Sequence, residues 1–307
     1  MNRPAIALSF LLGLLLVAGL TLALRGSNSS SGGKLDVVAA ENFYGNMVSQ
    51  IGGSHVAVTS ILSDPNADPH LFEPGTSNGL AVSKAKLVIQ NGVDYDAFMQ
   101  KLENASPDSK RIVVTMANVL GVSGADANPH LWYDPKTMPA VAKAMAAGLS
   151  DLVPAHKAYF QKNLAAFDRS LAPWLSAIAA FKAKYAHTAV ATTEPVADYL
   201  LTAMRITNLT PFRFQADIMN GVEPSPQDIS LVDSFFSQHK AKVFVYNQQV
   251  TDALTTSIRQ AALRAGVPVV GVYETMPTSG YRYQSWMLAE VQAIQKAVTT
   301  KTSTQKL

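Results

Sequence analysis

Short apolar, β-branched runs alternate with helical patterns from residue 35 to residue 273, and this alternation most constrains the fold. The runs lack strict polar–apolar alternation, which is typical of strands buried on both faces of a parallel sheet. The first block of predicted strands is Leu35–Ala40, Val56–Leu62, Lys86–Asn91 and Arg111–Met116. The second block is Thr188–Thr192, Phe212–Ala216, Lys242–Tyr246 and Val267–Tyr273. The sequence therefore predicts an α/β protein of two lobes, each with a four-stranded, mainly parallel sheet flanked by helices.

A single amphipathic pattern occupies residues 155–187, between the two blocks. Apolar residues share one face at helical spacing: Phe160, Leu164, Phe167, Leu171, Leu175, Ile178 and Phe181. We expect one long helix joining the lobes, kinked or interrupted by Pro173. The predicted organisation is an N-terminal lobe at 35–154, a connecting helix at 155–187, a C-terminal lobe at 188–300 and a tail at 301–307.

The first 25 residues have the pattern of a targeting segment. Arg3 precedes an apolar run from Ala5 to Leu24, and a flexible, Gly/Ser-rich linker follows at 26–34. This pattern is typical of an export signal. This mainly apolar run of twenty residues is also long enough to span a bilayer, so an uncleaved N-terminal membrane anchor stays open. In either case we expect the globular part outside the cytoplasm, in the periplasm or at the outer face of the cytoplasmic membrane.

Composition narrows the possible chemistry. The net charge is only +3 and the basic residues are scattered, so the sequence predicts no nucleic-acid partner. The chain contains no cysteine. A metal must therefore be bound through nitrogen and oxygen, and lipidation at a cysteine is impossible.

Two histidines occur in the same local setting. Asp68-Pro69-His70 and Asn128-Pro129-His130 each place an imidazole directly after a proline, and each follows a predicted strand of the first block. Glu194 and Glu274 follow predicted strands of the second block. Ligands of open α/β sheets bind beyond the carboxyl ends of the strands. We therefore expect these four residues to form one site in the cleft between the lobes.

Two imidazoles and two carboxylates suit Mn²⁺, Zn²⁺ or Fe²⁺. With both carboxylates ionised, the set carries a charge of −2, which matches one divalent ion. Glu194 also fits a helix start, where an acid complements the dipole, and Glu274 lies in a turn-like string. Asp68 fits both an orienting partner of His70 and a simple turn former.

The ordered motifs resemble one known family, the zinc/manganese ABC-transporter solute-binding proteins of the periplasmic, cluster A-I type. The resemblance covers about Leu35 to Val298 and rests on Ala40–Tyr44, Gly52-Gly53, Asp68–Pro74, Asn91-Gly92, Pro129–Pro135, Thr193-Glu194, Glu223–Pro226 and Lys242–Tyr246. It implies two lobes joined by a long helix, with one divalent ion carried in the cleft as the transported ligand. It also implies a membrane permease of the ABC type as the partner.

The family's four ligand positions fall on His70, His130, Glu194 and Glu274. Zinc-directed members more often have histidine at the third position and manganese-directed members glutamate, so Glu194 favours Mn²⁺ over Zn²⁺. The fourth position is usually aspartate, and Glu274 departs from this pattern.

The leading interpretation is a monomeric, non-enzymatic receptor for a divalent metal. A metal-dependent hydrolase is the alternative, although it needs an open metal position and a general base, and the sequence contains no His-Glu-x-x-His or Gly-x-Ser-x-Gly motif. The resemblance also suggests a surface adhesin.

Overall fold

Parallel strands form two four-stranded sheets in the computed structural model, which describes residues 33–124, 127–277 and 280–307. The first sheet has the order β2-β1-β3-β4 and consists of β1 (Leu35–Glu41), β2 (Val56–Leu62), β3 (Leu87–Gln90) and β4 (Ile112–Thr115). The second has the order β6-β5-β7-β8 and consists of β5 (Ala189–Thr192), β6 (Thr207–Asn208), β7 (Val243–Asn247) and β8 (Val269–Val272). The predicted fold class, two α/β lobes with mainly parallel sheets, is confirmed.

Helices connect the strands, as parallel pairing requires. Those before the second sheet are α1 (Asn42–Gly52), α2 (Thr76–Lys84), α3 (Phe98–Ala105), α4 (Met116–Leu120), α5 (Met138–Leu152), α6 (Lys157–Ser170) and α7 (Ala172–Tyr185). Those after β5 are α8 (Asp198–Ala203), α9 (Phe212–Met219), α10 (Pro226–Ser237), α11 (Ala253–Arg264) and α12 (Tyr283–Thr300). Short 3₁₀ turns cover Gly53–His55, Pro69–Leu71, Leu131–Tyr133 and Pro154–His156.

One predicted strand is wrong. Residues 212–216 belong to α9, and the strand that joins β5 is the two-residue β6 upstream of it. Phe214 and Ile218 are both buried, four residues apart, so the segment buries a helical face. The chain enters α9 at Pro211, whose fixed φ suits the residue before a helix.

The connecting helix is interrupted close to Pro173, as the sequence predicts. It consists of α6 and α7, which meet at Leu171, with Pro173 in the first turn of α7. Proline has no backbone N–H to donate to the preceding turn. The break also changes the buried face: Trp174 is fully buried, whereas Leu175, predicted to be on the apolar face, is 41% exposed.

The largest hydrophobic core contains residues of both sheets and of the connecting helices. It includes Val37 of β1, Trp174 of α7, Val245 of β7 and Trp286 of α12. A separate core packs Phe236 and its neighbours against the second sheet. Residues 35–307 form one compact unit, so the lobe limits at 35–154 and 188–300 stay a prediction.

The last residues extend the second sheet. Thr304 forms a parallel bridge with Val270 of β8, so part of the predicted tail at 301–307 lies along this edge. Among the helices of the described ranges, none is long and apolar enough to cross a bilayer. The predicted export signal or anchor at 1–25, and most of the predicted linker at 26–34, lie outside the described residues.

Candidate metal centre

The two Pro-His phrases fold into the same local structure. The Asp68 carboxylate accepts the backbone N–H of His70 at 2.9 Å, and the Asn128 side-chain oxygen accepts the backbone N–H of His130 at 3.0 Å. In each case an Asx residue two positions before the histidine closes a turn. Repetition of this turn after β2 and after β4 brings both imidazoles to the carboxyl edge of the first sheet.

Asn128 also orients the ring of His130. Its side-chain oxygen lies 2.7 Å from His130 Nδ1. An amide oxygen only accepts, so in the neutral ring Nδ1 carries the proton of this shorter contact, and the lone pair of Nε2 points toward Glu274 Oε2, 3.3 Å away. Support of this kind is usual behind a metal-binding imidazole.

Three of the four predicted ligands meet at one carboxylate oxygen. Glu274 Oε2 lies 3.2 Å from His70 Nε2 and 3.3 Å from His130 Nε2. One donor atom from each of the three residues lies within 4.8 Å of the others. His130 and Glu274 are completely buried, whereas the side chain of His70 is 23% exposed and faces the cleft.

Glu194 lies one amide group away from this cluster. The side-chain nitrogen of Asn247 is 3.2 Å from both oxygens of Glu194 and 2.5 Å from Glu274 Oε1. Glu194 is therefore buried beside Glu274 but is not among the three residues that converge. The structure brings together His70, His130 and Glu274, and holds Glu194 next to them.

The sequence analysis did not identify Asn247. It ends β7 and is buried, and its side-chain oxygen accepts the backbone N–H of Gln249 at 2.9 Å. That bond turns the amide nitrogen toward the two carboxylates. Ligands of open α/β sheets bind beyond the carboxyl ends of the strands, and this rule, which selects Glu194 and Glu274, applies equally to Asn247.

Gln249 connects the Glu274 segment to the loop before His70. Its side-chain oxygen accepts the backbone N–H groups of Glu274 at 2.6 Å and Thr275 at 2.9 Å. Its side-chain nitrogen donates to the carbonyl of Ala67 at 2.7 Å. A buried side chain from the second half of the chain thus fixes both the carboxylate segment and the loop that carries one imidazole.

Burial and charge pairing shift the pKa values of these groups in different directions. Burial tends to lower the pKa of His70, but the Glu274 carboxylate outweighs it and raises that pKa to about 9. Complete burial lowers the pKa of His130 below its usual value. Burial tends to raise the pKa of Glu274, yet the two imidazoles hold it below the ordinary range. Burial raises the pKa of Glu194 well above 4.5, and Glu274 raises it further.

These directions favour the positive form of His70 paired with the negative form of Glu274, and the neutral forms of His130 and Glu194. A divalent cation competes with any proton held by these groups, so metal binding and proton release are coupled.

Solvent reaches the site through a cavity of about 230 Å³ with walls from both halves of the chain. His70, Asp94, Tyr95 and Pro129 line one wall, and Phe212 and Met219 of α9 line the other. Helix α9, which the sequence predicts in part as a strand, thus forms one side of the cavity.

Comparisons with known proteins agree with this architecture. Residues 37–297 match the family model described as zinc-uptake complex component A, periplasmic (ZnuA). The periplasmic zinc binding protein TroA from Treponema pallidum aligns with a TM-score of 0.74 at 19% identity, covering 88% of this chain and 100% of that one.

Two curated relatives are more similar in sequence over a shorter length. The metal ABC transporter substrate-binding lipoprotein FimA of Streptococcus parasanguinis is 27% identical over 51% of this chain and 54% of its own. The manganese ABC transporter substrate-binding lipoprotein scaA of Streptococcus gordonii is 28% identical over 48% of this chain and 51% of its own. The chain therefore spans about half the length of these relatives. With the family model matched from Val37 to Ala297, the chain belongs to the ZnuA family of zinc-uptake component A proteins.

Proposed function

We propose that this protein is an extracytoplasmic solute-binding protein that captures one divalent metal ion, Mn²⁺ or Zn²⁺, and delivers it to an ABC-type import permease. His70, His130, Glu194 and Glu274 are the proposed ligands. The observation that carries the proposal is the convergence of two imidazole nitrogens on one oxygen of Glu274. The names of the curated relatives, which are metal-transport lipoproteins, support the same function.

Cation binding replaces the present contacts without a large rearrangement. The ion takes the position between the two Nε2 atoms and Glu274 Oε2. Glu194 gives up its hydrogen bonds from Asn247 and contributes the second carboxylate. Four protein ligands fill most of the coordination sphere, which leaves little room for an activated water. The proposed role is therefore that of a receptor and not of an enzyme, and we expect the receptor to act as a monomer.

Nitrogen and oxygen ligands are compatible with both candidate ions. Two carboxylates can each bind through one or two oxygens, and higher coordination numbers with hard oxygen ligands suit Mn²⁺. Glu194 and Glu274 therefore favour Mn²⁺.

The proposed location is outside the cytoplasmic membrane. The curated relatives are named lipoproteins, but this chain has no cysteine to carry a lipid. We propose that residues 1–25 supply the export signal and, where they are not cleaved, the tether.

Isothermal titration calorimetry of metal-free protein with Mn²⁺ and Zn²⁺ tests this function. The wild-type chain should bind one ion, and the ion should raise the melting temperature. His70→Ala and His130→Ala should each weaken binding by more than the roughly 10–100-fold typical of residues that only support a ligand. His156→Ala, which removes an imidazole that stacks on His55, is the matched control and should bind normally. Unchanged binding by both ligand variants would contradict the proposal.

A further inference from the structure

Tyr95 is a buried residue beside the proposed metal centre whose hydroxyl has no assigned role. Its residue exposure is 6%, and the hydroxyl has no hydrogen-bond partner among the described residues. A buried polar group without a partner costs free energy, so its retention calls for an explanation.

An unusual backbone turn delivers Tyr95 to the cleft. Gly92, Val93 and Asp94 all have positive φ, at 84°, 48° and 61°. Positive φ is strained for a β-branched residue such as Val93. The carboxylate of Asp96 fixes the turn by accepting the backbone N–H groups of Asn91 at 2.5 Å and Gly92 at 2.9 Å. Strain maintained in this way is typical of functional sites.

The ring of Tyr95 lies against both imidazoles. Its centroid is 5.8 Å from that of His70 at an interplanar angle of 87°, and 5.9 Å from that of His130 at 65°. Trp132 packs on it at 5.0 Å. These contacts hold the ring at the cluster formed by His70, His130 and Glu274.

A phenol is neutral at ordinary pH and can donate one hydrogen bond. Burial raises the pKa of Tyr95, and the Glu274 and Glu41 carboxylates near the ring raise it further. Glu41, at the end of β1, is also completely buried, and neither of its carboxylate oxygens has a partner among the described residues.

We propose that Tyr95 is a positioning residue of the metal centre, whose hydroxyl donates a hydrogen bond to the Glu274 carboxylate when the cation is bound. This inference rests on the proposed function. In the metal-free protein Glu274 Oε2 faces both imidazoles and Oε1 accepts from Asn247. A cation that binds Oε2 and both Nε2 atoms separates the carboxylate from the imidazoles, so Glu274 keeps only the hydrogen bond from Asn247. The Tyr95 hydroxyl replaces the lost donor and fixes the orientation in which Glu274 meets the ion.

The variant Tyr95→Phe removes the oxygen and keeps the ring. Calorimetry of the full chain with Mn²⁺ should show binding weakened by about tenfold or more, since hydrogen bonds to charged groups are among the stronger ones. The melting temperature of the metal-free variant should stay unchanged or rise, because the lost hydroxyl was buried without a partner. In protein loaded with Co²⁺, the visible spectrum should also change, since it reports ligand geometry.

Tyr246→Phe is the matched control. Its buried hydroxyl contacts Arg259 at 3.1 Å, in the separate core of the second sheet. This variant should keep both the Mn²⁺ affinity and the Co²⁺ spectrum of the wild type.

The outcomes separate the two proposals. Unchanged Mn²⁺ affinity and an unchanged Co²⁺ spectrum in Tyr95→Phe, with normal loss of binding in His70→Ala, would overturn the role of Tyr95 alone. A large fall in the melting temperature of metal-free Tyr95→Phe would also overturn it, because the hydroxyl would then be structural. Failure of the wild-type chain to bind any ion would overturn the proposed function instead.

Discussion

At the scale of single residues, Asn247 controls how two buried carboxylates share a small space. Its amide nitrogen faces both Glu194 and Glu274, and the backbone N–H of Gln249 fixes the amide in that orientation. Without a donor between them, two buried acids repel each other unless one stays protonated. The amide thus keeps both side chains at the site while the cation is absent.

Asn247→Asp should therefore destabilise the metal-free protein, and Mn²⁺ should stabilise this variant more than it stabilises the wild type. The change removes the donor and adds a third acid to a buried cluster, at a cost of about 2–4 kcal/mol. Mn²⁺ should recover part of that loss, since a cation compensates the added charge. Thermal unfolding with and without Mn²⁺ measures both effects, and Asn118→Asp, at an exposed position of α4, is the control. A metal-free variant as stable as the wild type would contradict this role.

The pKa of His70 predicts opposite pH dependences for stability and for metal affinity. The folded-state pKa is raised from 6.5 to about 9, so the contribution to stability is complete below pH 6.5 and is lost as pH rises through 9. For the metal-free protein this loss is at most about 3 kcal/mol. The cation must displace the same proton, so its affinity should rise by at least about tenfold per pH unit up to pH 9, and more steeply wherever Glu194 is also protonated. Calorimetry and thermal unfolding between pH 6 and 9.5 measure both trends, and parallel trends would contradict the assignment.

At the scale of elements, the strands that the sequence predicts well have clear β-branched runs. Those of β1, β7 and β8 are buried on both faces, whereas β2 lies at the sheet edge and is partly exposed. The failure at 212–216 has a local cause, because the predicted strand is only five residues long and contains only two large apolar residues, Phe212 and Phe214. A window of five residues cannot separate a period of 2 from a period of 3.6. The two residues of β6 are too few to leave any pattern.

Some residues of the candidate site can be predicted from the sequence, and others cannot. His70 and His130 are predictable because a repeated Asx-Pro-His turn marks them in the chain. No local motif identifies Asn247 or Tyr95. An amide at a strand end, or a phenol in a loop, usually has no role at a site. Their importance depends on which side chains the neighbouring strands bring to the same edge. That information comes from the sheet order, which local patterns do not contain.

The segment after β7 should control the mobility of the loop that carries His70. Gln249→Ala removes the hydrogen bond to Ala67 and the two bonds from the Glu274 segment. We expect faster backbone hydrogen exchange at residues 64–72. Metal binding should also weaken several-fold, because a more mobile His70 loses more conformational entropy when it binds the ion. Exchange measured by mass spectrometry tests this, with Gln238→Ala at the exposed end of α10 as the control. Unchanged exchange in this loop would show that the loop is ordered by other contacts.

At the scale of the whole molecule, both halves of the chain share one core, and this limits how far the cleft can open. Asn42 at the start of α1 forms two buried hydrogen bonds, of 2.7 and 2.9 Å, with the backbone of Met276, just after Glu274. The Tyr283 hydroxyl of α12 donates to the carbonyl of Trp132 at 2.6 Å. These bonds tie the segments that carry Glu274 and His130 each to the other half of the chain. A wide hinge motion would have to break them and expose part of the core.

Metal binding should therefore change the shape of the protein little. We expect small shifts of packed elements, on the order of 1 Å, because shear between packed helices allows no more. Small-angle X-ray scattering of the same sample with and without saturating Mn²⁺ should give radii of gyration that agree within about 1 Å. The variant Asn42→Ala removes both hydrogen bonds to Met276. It should increase the difference in radius of gyration between the metal-free and the Mn²⁺-bound protein. A compaction of several ångströms in the wild-type chain would mean that these hydrogen bonds open during each cycle of capture and release.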